Sequence, residues 1–170
     1  PQRMTPATRT ALTAYAQQVR QLGKGTGRHA ARLRAEIRAT MNQCREAVPA
    51  WIMPIHRVIE QIPPVEDSFD IVIVDEASQA GLEALFLHCL APRILIVGDD
   101  QQVSPAGVGQ DRQELRELVR CHIPDHPHAL LWSNPTRSLF DEATMRYGHR
   151  LVLTEHHRSV PEIIGFSNRE

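Results

Sequence analysis

The sequence is poor in lysine and cysteine and has no long hydrophobic run. No apolar stretch approaches the roughly 18 residues that a membrane-spanning helix needs. The first residues also lack the apolar core of a secretory signal. The three cysteines are odd in number and widely spaced, which favours reduced thiols. These absences predict a cytoplasmic protein that does not associate with a membrane and is not held together by disulfides.

The only lysine, Lys24, does not form a recognisable phosphate-binding loop. Such a loop needs Gly-Lys-Ser/Thr after an apolar strand, because its backbone amides cradle phosphates while the lysine contacts the β/γ oxygens. Here Gly25 follows Lys24, and no apolar strand precedes the glycine-rich run at residues 23–27. A flexible turn between two helices is the better interpretation of this run.

What remains is a globular composition with an uneven distribution of charge. Of the 170 residues, 42% are hydrophobic and 23% are charged, which is typical of a chain with an ordinary core. Residues 1–60 carry a net charge of +7 and residues 61–170 a net charge of -8. The first part therefore either contacts polyanions, with Arg28 and Arg32 among the candidate nucleic-acid contacts, or presents a solvated helix face that also includes Arg34 and Arg38.

Hydrophobic periodicity and capping residues predict helices alternating with short strands. Helices are expected at residues 5–20, with Thr5 as the N-cap, and at 28–44, 58–61, 80–89, 111–119, 138–147 and 160–167. Strands are expected at 69–75, 93–97 and 151–153, the first two buried on both faces. This order predicts an α/β protein with a parallel sheet and flanking helices.

Both long predicted strands end in acids: Asp75 and Glu76 follow the first, and Asp99 and Asp100 follow the second. In open α/β sheets, ligands bind beyond the carboxyl ends of the strands. An aspartate there can hold a hydrated Mg²⁺, and an adjacent glutamate can polarise water that attacks a phosphoryl group. The alternative for an isolated Asp-Glu pair is a solvated turn.

Three segments resemble the motifs of superfamily 1 helicases, especially the Upf1-like branch. Residues 69–79 (FDIVIVDEASQ) resemble motif II, the Walker B box. Residues 96–105 (IVGDDQQVSP) resemble motif III, and residues 153–168 (LTEHHRSVPEIIGFSN) resemble motif IV. Residues 47–54 are similar to the segment that precedes motif II in one bacterial group of these enzymes. The motifs occur in the family's order and spacing.

This resemblance implies an ATP site with Mg²⁺ as a cofactor. Asp75 would hold the magnesium, and Glu76 would act as the catalytic base. Gln102 would sense the γ-phosphate, with Gly98 and Asp99 of motif III also at the nucleotide. The resemblance further implies that Arg158 reaches the γ-phosphate from a second domain as an arginine finger.

The sequence departs from the family pattern at three places. His156 and His157 stand where motif IV commonly has an amide and an aromatic residue, which puts a nucleotide contact by this pair in doubt. Val103 replaces a leucine, and Ser104 replaces a frequent proline and could donate to a phosphate.

The resemblance implies that the chain is an internal piece of a helicase. Residues 1–46 would be a basic helical segment, 47–148 the later part of a first RecA-like domain, and 149–170 the start of a second. Its partners would be single-stranded DNA or RNA and the rest of the helicase polypeptide, and the isolated chain would not turn over ATP. Two alternatives stay open: a non-hydrolysing nucleic-acid-binding or assembly module, and a different P-loop NTPase class.

Overall fold

The computed structural model describes residues 4–102, 111–155, 160 and 165. The chain divides into two compact units. Unit 1 comprises Pro1–Val74 and Leu82–Leu95, and unit 2 comprises Asp75–Gly81 and Ile96–Glu170. The division falls at the C-terminal ends of the two strands, so the acids predicted to form a site all belong to unit 2.

Unit 1 begins with two long helices, α1 (Pro6–Leu22) and α2 (Ala30–Cys44). The predicted N-cap is confirmed: the Thr5 side chain accepts a hydrogen bond from the Thr8 amide, and Pro6 occupies the first turn, where a missing N–H costs nothing. The glycine-rich run lies between the helices as predicted. The apolar faces of the pair meet in a core around Ile37, which is fully buried.

A proline-bracketed segment and a short helix follow. Residues 47–54 contain no α-helix, and α3 (Ile55–Gln61) is longer than the short helix predicted at 58–61. Trp51 lies edge-on to Tyr15 of α1, with ring centroids 5.4 Å apart. This aromatic contact joins the segment to the helical pair, and the Tyr15 hydroxyl donates to the Gln61 side chain at the end of α3.

Two neighbouring strands form a small parallel sheet, β1 (Val72–Val74) and β2 (Ile94–Ile96). The mixed α/β class is therefore confirmed. Each strand is shorter than predicted, and burial of both faces was wrong. Val74 is buried, but Ile71, Ile73 and Leu95 are 47%, 63% and 50% exposed. An all-apolar strand sequence indicated two covered faces, whereas in this chain only one face is covered.

Between the strands the chain forms a 3-10 helix, Leu82–Cys89, within the helix predicted at residues 80–89. Its buried apolar residues recur every third position, at Ala84, Leu87 and Leu90. Three residues complete one turn of a 3-10 helix, so this spacing places all three side chains on one face. The Leu90 amide then donates to the Leu87 carbonyl, which closes the last turn.

Unit 2 includes the α-helices α4 (Arg112–His122), α5 (Ala129–Trp132) and α6 (Leu139–Tyr147). Side chains cap two of them, since Asp111 accepts from the Gln113 amide and Ser138 accepts from the Asp141 amide. The predicted helix starts near 111 and 138 are thus confirmed. Gly148 ends α6 in the left-handed conformation that favours glycine.

The third predicted strand, at residues 151–153, is wrong. Leu151, Val152 and Leu153 are 99%, 67% and 90% exposed and pair with no strand in the described part of the chain. Apolar β-branched composition favours a strand, but a strand exists only where a partner supplies its hydrogen bonds. The helix predicted at 160–167 falls largely outside the described residues. No α-helix in the described ranges is long and apolar enough to span a membrane.

Candidate functional site at the strand ends

Two short segments of unit 2, residues 75–79 and 97–102, continue the chain beyond the two strands. Two hydrogen bonds hold them together. The Ala77 amide donates to the Val97 carbonyl at 2.9 Å, and the Asp99 amide donates to the Ser78 hydroxyl at 2.7 Å. Ala77 and Ser78 are buried, so each of the two hydrogen bonds includes one residue that packing in the core holds in place. The segments that resemble motifs II and III are therefore adjacent in the structure.

The first segment bends sharply at Glu76. Its backbone lies in the left-handed region (φ 54°, ψ 38°), which residues with a Cβ atom seldom occupy. The Glu76 amide donates to Asp75 Oδ1 at 3.0 Å, and Gln79 Nε2 donates to Glu76 Oε2 at 3.4 Å. Both carboxylates are exposed to solvent. A strained turn thus presents two neighbouring acids at the end of β1.

Asp99 organises the second segment. One carboxylate oxygen accepts from the Gln101 amide at 3.0 Å, and the other accepts from Gln102 Nε2 at 3.1 Å. The Gln102 amide also donates to the Asp99 carbonyl at 3.3 Å, which closes a turn. Asp99 and Gln102 are both exposed. The structure therefore brings together two of the residues that the resemblance places at the nucleotide, and Asp99 positions the Gln102 side chain.

Gly98 is the point of closest packing in the site. A Cβ atom at this position would lie 2.7 Å from Phe140 Cδ2 and 2.8 Å from Ser78 Oγ. Glycine is required here because any side chain would collide with the α6 ring or displace the hydroxyl that holds Asp99. Phe140 and Ser78 were not recognised as site residues from the sequence. The serine hydroxyl lies within the motif II segment, which is the one signal that pointed to it.

Asp100 is not available as a second free acid. Its Oδ2 accepts from Arg150 Nη1 at 2.5 Å, with both side chains about half exposed. The hydrogen bond from Arg150 holds the pKa of Asp100 below its usual value, and the pKa of Arg150 is raised for the same reason. The pair connects the end of the second segment to the chain after α6. Sequence reasoning missed it because the two residues lie 50 positions apart.

Of the other predicted site residues, two belong to unit 1 and two fall outside the described residues. Arg28 and Arg32 belong to unit 1, and Arg32 Nε forms an exposed ion pair with Glu36 at 3.3 Å. Arg28 is exposed. Ser104 and Arg158 fall outside the described residues. The structure thus collects Asp75, Glu76, Gly98, Asp99 and Gln102 in one unit, and it does not bring Arg28 or Arg32 into that group.

The donor set fits a magnesium ion that is carried by a phosphate ligand. Among the described residues, no group of three or more His, Cys, Asp or Glu side chains converges as a metal cage. Magnesium does not need such a cage, because it keeps several waters and commonly takes one or two carboxylates plus substrate phosphates. An exposed Asp75 beside Glu76 meets that requirement.

Comparisons with known proteins give no relatives. No protein-family model, no curated protein and no solved structure matches this chain.

Proposed function

We propose that this chain supplies the magnesium-binding and hydrolysis half of an ATP site in a nucleic-acid helicase or translocase, built on a partial RecA-like sheet. One observation carries the proposal: the two acid-bearing segments that follow the strands are joined by the hydrogen bonds from Ala77 to Val97 and from Asp99 to Ser78. This pairing puts an Asp-Glu turn next to a Gly-Asp-x-x-Gln turn. Phosphoryl transfer from ATP needs both elements, an acid for the water and a polar group for the phosphate.

Each residue has a role that follows from its chemistry. Asp75 binds the cation, and a bound Mg²⁺ neutralises the negative charge of the phosphates. Glu76, held outward by its left-handed backbone, accepts a proton from the attacking water. Gln102 contacts a phosphate oxygen through an uncharged amide, positioned by Asp99. Arg158 supplies positive charge from a second domain when the cleft closes.

The proposal also requires a phosphate cradle, which the residues around Lys24 do not form. The lone Lys24 lies in a turn of unit 1, so the phosphate cradle comes from another part of the helicase polypeptide. In this scheme residues 149–170 begin a second RecA-like domain, and single-stranded DNA or RNA is the track. Hydrolysis then opens and closes the cleft and moves the protein along the strand.

The test is Mg²⁺-dependent ATP turnover in the full natural polypeptide, with and without single-stranded nucleic acid. Replacing Glu76 with Gln keeps the size of the side chain and removes the base, so kcat is expected to fall by roughly 10²-fold or more. The matched control is Glu117→Gln, an exposed glutamate of α4 outside the site. An unchanged kcat in Glu76→Gln would contradict the assignment of the base.

Two further measurements separate the alternatives. The 170-residue chain alone is expected to show no Glu76-dependent turnover, because it lacks the phosphate cradle. Strand binding without any ATPase activity in the full polypeptide would instead identify a non-hydrolysing nucleic-acid-binding module.

A further inference from the structure

A groove in unit 2 lies between α4 and α5, away from the residues of the proposed ATP site. One cavity of about 580 Å³ is lined by both helices, and a second of about 380 Å³ continues past α5. Leu130 and Asn134 line both cavities, so the two adjoin each other. Leu130 is 90% exposed although it is a large apolar side chain. We call this feature the α4–α5 groove.

Three arginines form one wall of the groove: Arg112, Arg116 and Arg120 of α4. They recur every fourth residue, so they lie on one face of the helix about 6 Å apart along its axis. Within the described part of the chain, none of the three guanidinium groups forms a hydrogen bond or an ion pair. Like charges at this spacing repel one another and destabilise a helix. Because none of the three arginines has an ion-pair partner among the described residues, the positive charge of this wall is not compensated there.

The opposite wall is apolar and contains Leu130 and Ala129 of α5, with Val119 and Pro124 nearby. Among the described lining residues there is no carboxylate and no Phe, Tyr or Trp ring. Sites for single-stranded nucleic acid combine positive charge with aromatic rings on which bases stack. This groove has the charge, but the one aromatic ring among its described lining residues is the imidazole of His128 in the second cavity, and the exposed Leu130 lies between the two cavities.

From this arrangement we infer that the α4–α5 groove binds an extended acidic segment of a protein partner, with carboxylates on the α4 wall and aliphatic side chains on Leu130. In an extended peptide, side chains on the same face recur about every 6.7 Å, close to the arginine spacing. Side chains on the other face point the opposite way, toward the apolar wall. Alternating Glu and Leu residues would therefore satisfy both walls at once.

The test uses a fluorescein-labelled synthetic peptide of about ten residues, long enough to pass both cavities, in which Glu and Leu alternate. Binding to the 170-residue chain is followed by fluorescence anisotropy at low salt. The triple variant Arg112→Gln, Arg116→Gln, Arg120→Gln is expected to weaken binding roughly tenfold, and Leu130→Ser to weaken it about threefold.

Matched controls separate the groove from net charge. The triple variant Arg9→Gln, Lys24→Gln, Arg93→Gln removes the same charge from exposed positions of unit 1. Leu118→Ser changes an exposed leucine of α4 that does not line the groove. Both controls are expected to bind the peptide within about twofold of the unaltered chain, and amide spectra verify that every variant is folded.

Equal weakening by the two triple variants would overturn the proposal, because it would show a response to net charge alone. Unchanged binding in Leu130→Ser would overturn it as well. An oligothymidylate strand is the final arm. Were it to displace the peptide, and its own binding to depend on the α4 arginines but not on Leu130, the groove would be a nucleic-acid contact instead.

Discussion

The arginines of unit 1 and those of helix α4 have similar helical spacing but different surroundings. Arg34 donates through Nε and Nη2 to Glu60 Oε1, at 3.2 and 3.0 Å. Arg57 donates to the other oxygen of the same carboxylate at 2.9 Å. Helix α4 carries Glu114 and Glu117, but within the described residues none of its three arginines forms an ion pair. We therefore propose ligand binding for the α4 face, where the described residues supply no internal partner, and not for the face that carries Arg34.

The same arginines of unit 1 also hold the glycine-rich turn. Arg34 Nη2 donates to the Gly25 carbonyl and Arg57 Nη2 to the Gly23 carbonyl, each at 2.9 Å. Arg38 Nε donates to the Glu60 carbonyl at 2.8 Å, near the end of α3. The positive charge of residues 1–60 is therefore partly used to join α2, α3 and the turn. Polyanion binding by Arg34 would require breaking these contacts.

The largest predicted effect is at the centre of this network. Glu60→Ala removes the one carboxylate that faces Arg34 and Arg57, whose side chains are only 33% and 26% exposed. Two partly buried charges would then lose the carboxylate that balances them, which is expected to lower the free energy of unfolding of unit 1 by about 2–3 kcal/mol. Denaturant unfolding, followed by hydrogen exchange of the α1–α3 amides, measures the loss.

Glu36→Ala is the matched control, because it breaks an ion pair that is largely exposed. That change is expected to cost no more than about 0.5 kcal/mol. If both variants lost the same stability, the distinction between internal and exposed arginines would fail.

The pH dependence of the free energy of unfolding gives a second test of the Glu60 carboxylate. Partial burial acts to raise the pKa of Glu60, but the hydrogen bonds and charges of Arg34 and Arg57 outweigh it, so the pKa lies below its usual value. A lowered pKa in the folded state means that the stabilisation is present above the unfolded pKa of about 4.3. It is lost as the pH falls through the folded value. In Glu60→Ala the free energy of unfolding is expected to depend less on pH over this range.

Sequence reasoning succeeded where the signal is local. The Thr5, Asp111 and Ser138 caps follow from side chains that bond to amides two or three residues away. It failed where the deciding contact is distant. The strand predicted at 151–153 had the right composition but found no partner, and the covered second face of the sheet was inferred from apolar residues that are in fact exposed. The sequence of a segment does not show whether another strand pairs with it or whether other elements pack on its second face.

The same distinction applies to the candidate site. Asp75, Glu76 and Asp99 were predicted because they follow recognisable strands, and Gln102 because its segment resembles motif III. The contacts that assemble them were not: Phe140 packs on Gly98 from 42 residues away, and the Asp99 amide donates to Ser78 from 21 residues away. A one-dimensional pattern carries the residue types of a site, whereas pairing across such separations is decided by tertiary packing.

Gly98 in unit 2 and Gly27 in unit 1 test whether replacing glycine with alanine costs stability only where the site packs closely around the glycine. In Gly98→Ala the new methyl group would collide with the Phe140 ring and the Ser78 hydroxyl. A ring packed between elements cannot move cheaply, so the free energy of unfolding is expected to fall by about 1–2 kcal/mol. Thermal unfolding measures the change, and the loosened Asp99–Gln102 turn is expected to show faster amide exchange.

Gly27→Ala in unit 1 is the companion variant, since nothing lies within 4 Å of the added methyl group. Its stability is expected to stay within about 0.5 kcal/mol of the original chain. A comparable loss of stability in Gly27→Ala would mean that the loss in Gly98→Ala comes from replacing any glycine and not from the close packing around the site.

The smallest predicted effect has the opposite sign. Glu76 holds a left-handed backbone that a glutamate adopts at a cost, whereas asparagine adopts it more readily. Glu76→Asn is therefore expected to raise the free energy of unfolding of unit 2 by about 0.5–1 kcal/mol. Glu66→Asn, at an exposed glutamate whose φ is not positive, is the control and is expected to give no gain.

A gain in stability at Glu76 would bear directly on function. Strained residues persist where the side chain is needed and the surrounding fold can hold them, so relieving the strain is expected to come with lost activity. In the full polypeptide, Glu76→Asn would then be more stable and slower in ATP hydrolysis, while Glu60→Ala would be less stable with an intact catalytic group. A Glu76→Asn variant that gained stability and kept its full kcat would show that the left-handed turn serves no catalytic purpose.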